Sequence, residues 1–231
     1  KLEGTIYTAA QEIEAAGGQA LPILGDVRDE DSIKAAVAQT AERFKGIDIV
    51  VNNASAIDLS KSTELPAKRF DLMQDIEVRG TFLLTRTAIP YLKQSDHAHI
   101  LTLSPPLNLS ERWLGANVGY MLAKYGMTLA ALGFAAEFKG DNIASNALWP
   151  RTVIATAAVQ NLLGGDATMA RSRTPEIMAD AAYEILRRAP QEQTGEQLID
   201  DEVLEAAGHT DLGKYQHVQG AELMTDLFLD G

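Results

Sequence analysis

The chain of 231 residues contains no cysteine. This absence excludes disulfides, thiolate catalysis and any metal site built from cysteine. It suits a reducing compartment, and we expect a cytoplasmic protein. The sequence has no apolar run that approaches the length of a transmembrane helix, about 18 residues. It also shows no signal peptide at its start. Its content of 46% hydrophobic and 23% charged residues is ordinary for a globular protein, so we expect one domain over residues 1–231 with a sizeable core.

Basic residues are few compared with acidic ones. The chain has 20 Lys and Arg against 32 Asp and Glu, which gives a net charge of −12. Such a balance argues against binding the phosphate backbone of a nucleic acid and against binding an anionic membrane surface. We therefore expect neither nucleic acid nor membrane among the partners.

A glycine-rich phosphate-binding turn is missing as well. Neither G-x-G-x-x-G nor G-x-x-x-G-x-G follows any predicted strand. Doubly wound nucleotide-binding folds normally begin with a strand, such a turn and a helix. Here the pattern begins with a helix that Thr5 can cap and that Gly17 and Gly18 stop.

Amphipathic helices alternate with short apolar strands along the rest of the chain. Further helices are predicted from Asp29 or Asp31 to Phe44, over 67–92, over 117–138 and over 176–188. Strands are predicted at 20–24, 47–51, 99–103, 143–148 and 197–199. This alternation predicts an α/β fold with a parallel sheet covered on both faces. Residues 162–173 contain paired glycines and are expected to form a mobile loop or lid.

Tyr120 and Lys124 are the most informative pair of residues. Side chains four apart on a helix project from one face. An ammonium near a phenol favours the phenolate and lowers a pKa that is otherwise about 10. A tyrosine tuned in this way can exchange a proton with a substrate oxygen near neutral pH. The pair alone is weak, because a core Tyr beside a surface Lys gives the same pattern.

Three other segments strengthen that pair. Ser104 ends an apolar strand, where doubly wound folds bind ligands, although it could also be a simple strand-end cap. The sequence VNNASA spans 51–56, and NALWPRTVIAT spans 146–156. Together with YMLAKYGM at 120–127, these segments resemble the classical short-chain dehydrogenase/reductase family, closest to its hydroxysteroid-dehydrogenase-like group. The resemblance covers essentially the whole chain, without the sterol-carrier domain that animal members of that group carry.

The resemblance implies a Rossmann-type doubly wound parallel sheet and assigns catalytic roles. Tyr120 matches the acid/base, and Lys124 matches the residue that lowers its pKa and binds the nicotinamide ribose. Ser104 matches the residue that holds the substrate carbonyl oxygen. The implied reaction passes a hydride between NAD(P) and a carbonyl or alcohol substrate. The implied cofactor is NADP or NAD, of which we favour NADP.

The same resemblance implies the cofactor contacts. Asn53, Ala54 and Ser55 match a turn along the adenosine and ribose. Asp26 and Val27 match an acidic–aliphatic pair that borders adenine. Taken alone, Asp26 would favour a turn or helix-cap role, and the context of the other motifs favours the adenine contact.

The loop after the strand at 143–148 matches the family loop that fixes the nicotinamide carboxamide. The matching residues are Pro150, Thr152, Ile154 and Thr156. Arg151 stands where the family has glycine, so the backbone N–H that would meet the carboxamide is left open, and a plain strand-end loop remains the alternative.

Glu77 is the clearest departure from the family, which has asparagine there. Its carboxylate could bind the Lys124 ammonium and weaken the effect of that charge on Tyr120, or it could point to solvent. We expect activity to be lower than in a Glu77→Asn variant.

The family fold also implies a strand–turn–helix–strand unit of roughly 40 residues before Lys1. That unit would carry the pyrophosphate-binding glycines and the residues that choose between NAD and NADP. We therefore expect the domain to be incomplete at the start of this sequence.

Several alternatives remain open. A non-catalytic dinucleotide-binding protein on the same fold is the main rival, and a flavodoxin-like binding module is the weaker one. We expect a homo-oligomer, dimer or tetramer, built on the helices at 67–92 and 117–138. His97 and His99 are interpreted as polar residues at a strand edge, so no metal is expected. Trp113 and Trp149 either line an apolar substrate pocket or fill the core.

Overall fold

The computed structural model describes residues 4–230. Four strands form one sheet in the order β1-β2-β3-β4, and every neighbouring pair is parallel. The strands are β1 (Ile49–Asn52), β2 (Ala98–Leu103), β3 (Ile143–Trp149) and β4 (Gln197–Ile199). The α-helices are α1 (Ile6–Ala15), α2 (Glu30–Phe44), α3 (Ala67–Met73), α4 (Thr81–Leu92), α5 (Glu111–Leu114), α6 (Val118–Glu137), α7 (Ala157–Leu162), α8 (Asp166–Ala170), α9 (Glu176–Leu186) and α10 (Asp200–Ala206).

Helices cover both faces of the sheet. Successive strand residues point to opposite sides, and apolar residues on both sides pack against helices. Ile100 packs into a core with Leu92 and Phe134, on the side of α4 and α6. Its neighbour Leu101 packs with Ile177, on the side of α9 and α10. The predicted α/β fold with a doubly covered parallel sheet is confirmed.

Local capping explains where the early helices begin and end. The Thr5 side chain accepts a hydrogen bond from the Thr8 amide, and Asp29 caps α2 in the same way. The cap at Thr5 was predicted, and Asp29 is one of the two predicted starts of α2. The residue that ends α2 is Lys45, which takes a left-handed conformation with φ of 69° although a glycine, Gly46, follows it.

The predicted strand at 20–24 is wrong. These residues pair with no strand within residues 4–230, and β1 is the last strand on that side of the sheet. An apolar run becomes a strand only when a neighbour supplies hydrogen-bond partners. Ile49 and Val51 of that last strand are 39% and 45% exposed.

The predicted helix over 67–92 is continuous but changes its winding. Between α3 and α4, Gln74–Gly80 forms a π-helix, the wider turn that often accompanies functional sites. Glu77 lies at its centre and is fully buried. The segment at 162–173, predicted as a loop, contains the short helix α8 within it.

Within residues 4–230, no helix is both long and apolar enough to span a membrane.

Candidate active site

A cavity of about 550 Å³ opens at the carboxyl edge of the sheet, beyond the ends of β2 and β3. This edge is where doubly wound sheets bind ligands. Aliphatic residues from several loops form most of its wall, among them Ile57, Leu59, Val153, Val159, Leu163 and Met178. The polar side chains of Tyr120 and Lys124 line the same space. The cavity therefore joins an apolar binding surface to the two residues expected to carry the chemistry.

Helix α6 positions both side chains on its inward face. Tyr120 is 5% exposed and Lys124 4%. The Lys124 Nζ donates a hydrogen bond to the Leu103 carbonyl at 3.2 Å, at the end of β2. It also lies 5.3 Å from the centre of the Trp149 ring. The ammonium is thus held at the meeting point of α6, β2 and β3.

Glu77 reaches the same point from the π-helix. Its Oε1 lies 3.7 Å from the Lys124 Nζ and accepts a hydrogen bond from the Ser55 hydroxyl at 2.5 Å. Its Oε2 is buried and has no hydrogen-bond partner among the described residues. Of the two orientations left open by the sequence, the carboxylate therefore takes the one toward Lys124.

Burial acts on all three ionisable groups. It raises the pKa of Glu77 and lowers that of Lys124, although each group's charge opposes the shift of the other. The pKa of Tyr120 is raised well above its usual value, first by burial and then by the negative charges of Glu77 and Asp226. This direction is opposite to the lowering expected from the four-residue spacing. Burial therefore decides the direction of the shift in the Tyr120 pKa.

Ser104 differs from Tyr120 in its surroundings. It is 1% exposed, its Oγ has no hydrogen-bond partner among the described residues, and it is not among the residues that line the cavity. Thr152 is similar, with a buried Oγ1 that is also unpartnered within residues 4–230. Both hydroxyls are held close to the site without a bond of their own.

A second cavity, of about 390 Å³, lies beside the first. Asp26, Val27 and Ala54 line it, and Ser55 borders both cavities. The Asp26 carboxylate accepts hydrogen bonds from the Arg28 side chain, which lower its pKa to about 2. The two turns predicted to contact the adenosine half of a cofactor are therefore brought together.

The loop after β3 forms another wall of the first cavity. Pro150, Ile154 and Thr156 line it, and the Thr156 side chain caps α7. Arg151 turns away instead and binds Asp201 through its Nε at 3.2 Å. Its side chain is thus used to fix the loop to α10.

Residues 224–230, which we call the covering segment, close the site. The sequence analysis did not predict a role for them. The Val153 amide donates to the Met224 carbonyl at 3.0 Å, and the Asp226 amide donates to the Arg151 carbonyl at 3.0 Å. Trp149 Nε1 donates to the Leu227 carbonyl at 3.0 Å. The covering segment therefore runs antiparallel along the loop after β3.

Phe228 is the centre of an aromatic cluster beneath the catalytic candidate. Its ring centre lies 6.1 Å from Tyr120 and 5.2 to 6.2 Å from the rings of Trp113, Tyr125 and Trp149. Trp149 also lines the cavity, whereas Trp113 belongs to the core. The apolar run Leu227–Leu229 between two acidic residues is the signal that could have indicated a buried segment here.

The two histidines bind backbone carbonyls. His97 Nε2 is 2.5 Å from the Leu186 oxygen, and His99 Nε2 is 3.0 Å from that of Arg188. No group of three or more candidate ligands for a metal ion occurs within residues 4–230.

A parallel sheet covered on both faces, with its cavities at the carboxyl edge, is the arrangement of the doubly wound α/β proteins, which bind ligands at that edge. Known proteins narrow this class. A family profile described as Enoyl-(Acyl carrier protein) reductase matches residues 3–201. A short chain dehydrogenase of Mycobacterium thermoresistibile is 60% identical, with a TM-score of 0.94 over 100% of this chain and 81% of that one. The chain belongs to the short-chain dehydrogenase/reductase family.

Curated relatives carry a more specific name. The hydroxysteroid dehydrogenase-like protein 2 of Xenopus tropicalis is 55% identical over 230 residues, which cover 100% of this chain and 54% of that protein. The protein of the same name from Homo sapiens is 51% identical with the same coverage. The chain thus spans about half the length of these relatives. A solved Xanthomonas campestris structure is 52% identical, with a TM-score of 0.96, over 100% of this chain and 84% of that one.

Members of this family bind NAD or NADP, and the described residues fit such a group. The two cavities meet at Ser55, so a long ligand can extend from the Asp26 turn to Tyr120. The unpartnered Thr152 hydroxyl lies in the loop expected to hold the nicotinamide.

Proposed function

We propose that this chain carries the active site of a nicotinamide-dependent oxidoreductase that interconverts a carbonyl compound and its alcohol. The proposal depends on one observation, that Tyr120 and Lys124 line the same apolar cavity, which continues past Ser55 into a second one. Its partner would be a small molecule, and the absence of cysteine favours a cytoplasmic location.

The chain's residues would hold the cofactor along this groove. Asp26 and Val27 would border adenine, and residues 53–55 would follow the adenosine and ribose. Residues 150–156 would bind the carboxamide through Thr152 and neighbouring backbone groups. When bound, NAD or NADP supplies or accepts the hydride.

Tyr120 would move the proton. Its raised pKa keeps the phenol protonated, which is the form needed to donate to a carbonyl oxygen during reduction. Lys124 would stabilise the phenolate that remains. Ser104 would orient the carbonyl oxygen, and turning its side chain toward the cavity would give its unpartnered hydroxyl a hydrogen bond.

The test is a Tyr120→Phe variant. We expect turnover to fall by about two to four orders of magnitude, because the proton donor is lost. Binding of NADP or NAD should be nearly unchanged. Tyr183→Phe is the matched control, since Tyr183 is 66% exposed. Retained turnover in Tyr120→Phe would remove the assignment.

A non-catalytic dinucleotide-binding protein is the second candidate. The Glu77–Lys124 ion pair and the position of Ser104 away from the cavity wall favour it. Cofactor binding without turnover across a broad panel of carbonyl compounds would support this alternative.

A further inference from the structure

One carboxyl group faces a cavity whose wall is otherwise mainly aliphatic and aromatic. Of the described residues that line the cavity, Asp226 alone is acidic and Lys124 alone is basic. Lys124 is already bound to the Leu103 carbonyl and faces Glu77. Asp226 has no comparable cationic partner within residues 4–230.

The backbone fixes the direction of this side chain. The Asp226 amide is bonded to the Arg151 carbonyl, and the flanking Leu227 carbonyl is bonded to Trp149. The Asp226 Oδ1 accepts a hydrogen bond from the Leu227 amide at 2.6 Å. The Oδ2 has no hydrogen-bond partner among the described residues, so one acceptor oxygen remains available to a ligand.

Asp226 also acts on the reaction centre through its charge. Its negative charge contributes to the raised pKa of Tyr120 and opposes the lowering of the Lys124 pKa. Burial, the main cause, and the charge of Asp200 raise its own pKa to about 6, so it is mostly ionised at neutral pH. Asp226 is half-buried and lines the cavity, so a donor group on a bound ligand can reach its carboxylate.

We propose that Asp226 determines substrate specificity by accepting a hydrogen bond from a hydroxyl or amine group that the substrate carries in addition to its reacting carbonyl or alcohol. The substrate would then be a largely apolar carbonyl or alcohol with a second donor, while anionic carboxylate substrates are excluded by repulsion. This inference rests on the function proposed above. It adds the chemical class of the substrate and the residue that selects it.

The test compares bicyclic ketones of one skeleton. The set contains the plain ketone, positional isomers carrying one added hydroxyl, and the corresponding keto acid. We expect at least one hydroxyketone to exceed the plain ketone roughly tenfold or more in kcat/KM, as for a hydrogen bond to a charged group. The keto acid should be the poorest substrate.

Three variants test whether Asp226 causes the preference for the hydroxyketone. Asp226→Leu should bring the ratio of hydroxyketone to plain ketone toward one. Asp226→Asn keeps an acceptor but loses the charge, so it should retain part of that ratio while improving turnover of the keto acid. Asp230→Asn removes a carboxylate from the same covering segment outside the cavity and should keep the wild-type ratio.

Calorimetric binding of the same ligands separates this inference from the proposed function. If the wild type reduces the plain ketone but prefers no isomer, the function stands and the inference is wrong. If no ketone is reduced, the function fails. A hydroxyl-dependent Kd that Asp226→Leu abolishes would then still support the role of Asp226, and equal Kd values would overturn it.

Discussion

Glu77 makes Lys124, the proposed catalytic lysine, part of a buried ion pair. The side chains of both residues are at most 5% exposed, and Ser55 holds the carboxylate in place. In a buried site, the carboxylate of Glu77 competes effectively with Tyr120 for the charge of the Lys124 ammonium. The family resemblance implies asparagine at this position, whose neutral side chain would bring no negative charge to the ammonium. The carboxylate also raises the pKa of Tyr120 directly.

Replacing Glu77 with Asn should therefore increase turnover severalfold, up to about tenfold if the pKa of Tyr120 falls by one unit. In the oxidation direction, which needs the phenolate, the rising limb of kcat/KM should move to lower pH. Measured pH–rate profiles check both effects. Glu77→Gln keeps the length of the side chain and removes its charge, so it separates charge from shape. Equal turnover of wild type and Glu77→Asn would show that the ion pair does not limit the reaction.

Asp200 predicts a pH dependence of stability. It is fully buried, and its Oδ1 accepts hydrogen bonds from the Arg151 and Asp201 amides, while its Oδ2 has no partner among the described residues. Burial, as the main cause, raises its pKa from 3.8 to about 6. Because the folded state binds the proton more tightly, this contribution to stability is present below pH 3.8 and is lost as the pH rises through 6.

Asp200→Asn should remove that dependence. A shift of two units corresponds to about 3 kcal/mol, so the change in unfolding free energy between pH 4 and pH 7 should differ by about that amount between variant and wild type. Urea unfolding at a series of pH values measures it. Parallel curves for the two proteins would contradict the prediction.

At the scale of elements, local signals were sufficient for the first two helices. Thr5 and Asp29 mark helix starts through their own side chains, and both α1 and α2 begin directly after them. Distant contacts decided the rest. The run at 20–24 has strand composition but no pairing partner within residues 4–230. The covering segment could not be predicted from local sequence, because its position depends on the packing of Phe228 on Tyr120, which lies more than a hundred residues earlier in the chain.

The residues of the candidate site also differ in whether local sequence marks them. Tyr120 and Lys124 were predictable as candidates because helical spacing and a family motif mark them, and both line the cavity. Asp226 was not, because a single acidic residue near the end of an acidic chain carries no spacing signal. The direction of the Tyr120 pKa shift also depended on burial, which spacing does not report.

The π-helix is fitted to α6 through a glycine. A Cβ at Gly126 would lie 2.6 Å from the Val78 Cγ2, closer than real side chains approach. Gly126→Ala should therefore destabilise the protein by about 1–3 kcal/mol, despite the better helix propensity of alanine. Adding Val78→Ala creates the missing room, so the double variant should be less destabilised than the two single variants predict together. Denaturant unfolding of the three variants gives this coupling, and additive effects would argue against the contact.

At the scale of the whole molecule, α4 and α6 carry an apolar surface that the chain leaves uncovered. Phe82, Leu122 and Leu129 are 47%, 47% and 58% exposed. The two leucines lie seven residues apart and so share one face of α6, and the Phe82 ring stacks on Phe134 of that helix at 6.0 Å. Large exposed apolar side chains grouped on neighbouring helices are typical of interaction sites. With a net charge of −12, random association of copies is opposed, so a specific apolar interface is needed to bring them together.

We therefore propose a homo-oligomer, dimer or tetramer, assembled through this face of α4 and α6. Leu129→Glu should dissociate it, because the interface would have to bury an unpaired carboxylate. Light scattering coupled to size-exclusion chromatography measures the mass, and circular dichroism verifies that the variant is folded. Val218→Glu is the control, since Val218 is 46% exposed outside these helices and should leave the mass unchanged. A wild type that is already monomeric at micromolar concentration would reject the interface. Dissociation by Leu129→Glu but not by Val218→Glu would assign the interface to α6. The aromatic cluster around Phe228 should then persist in the monomer, because all of its members lie within one chain.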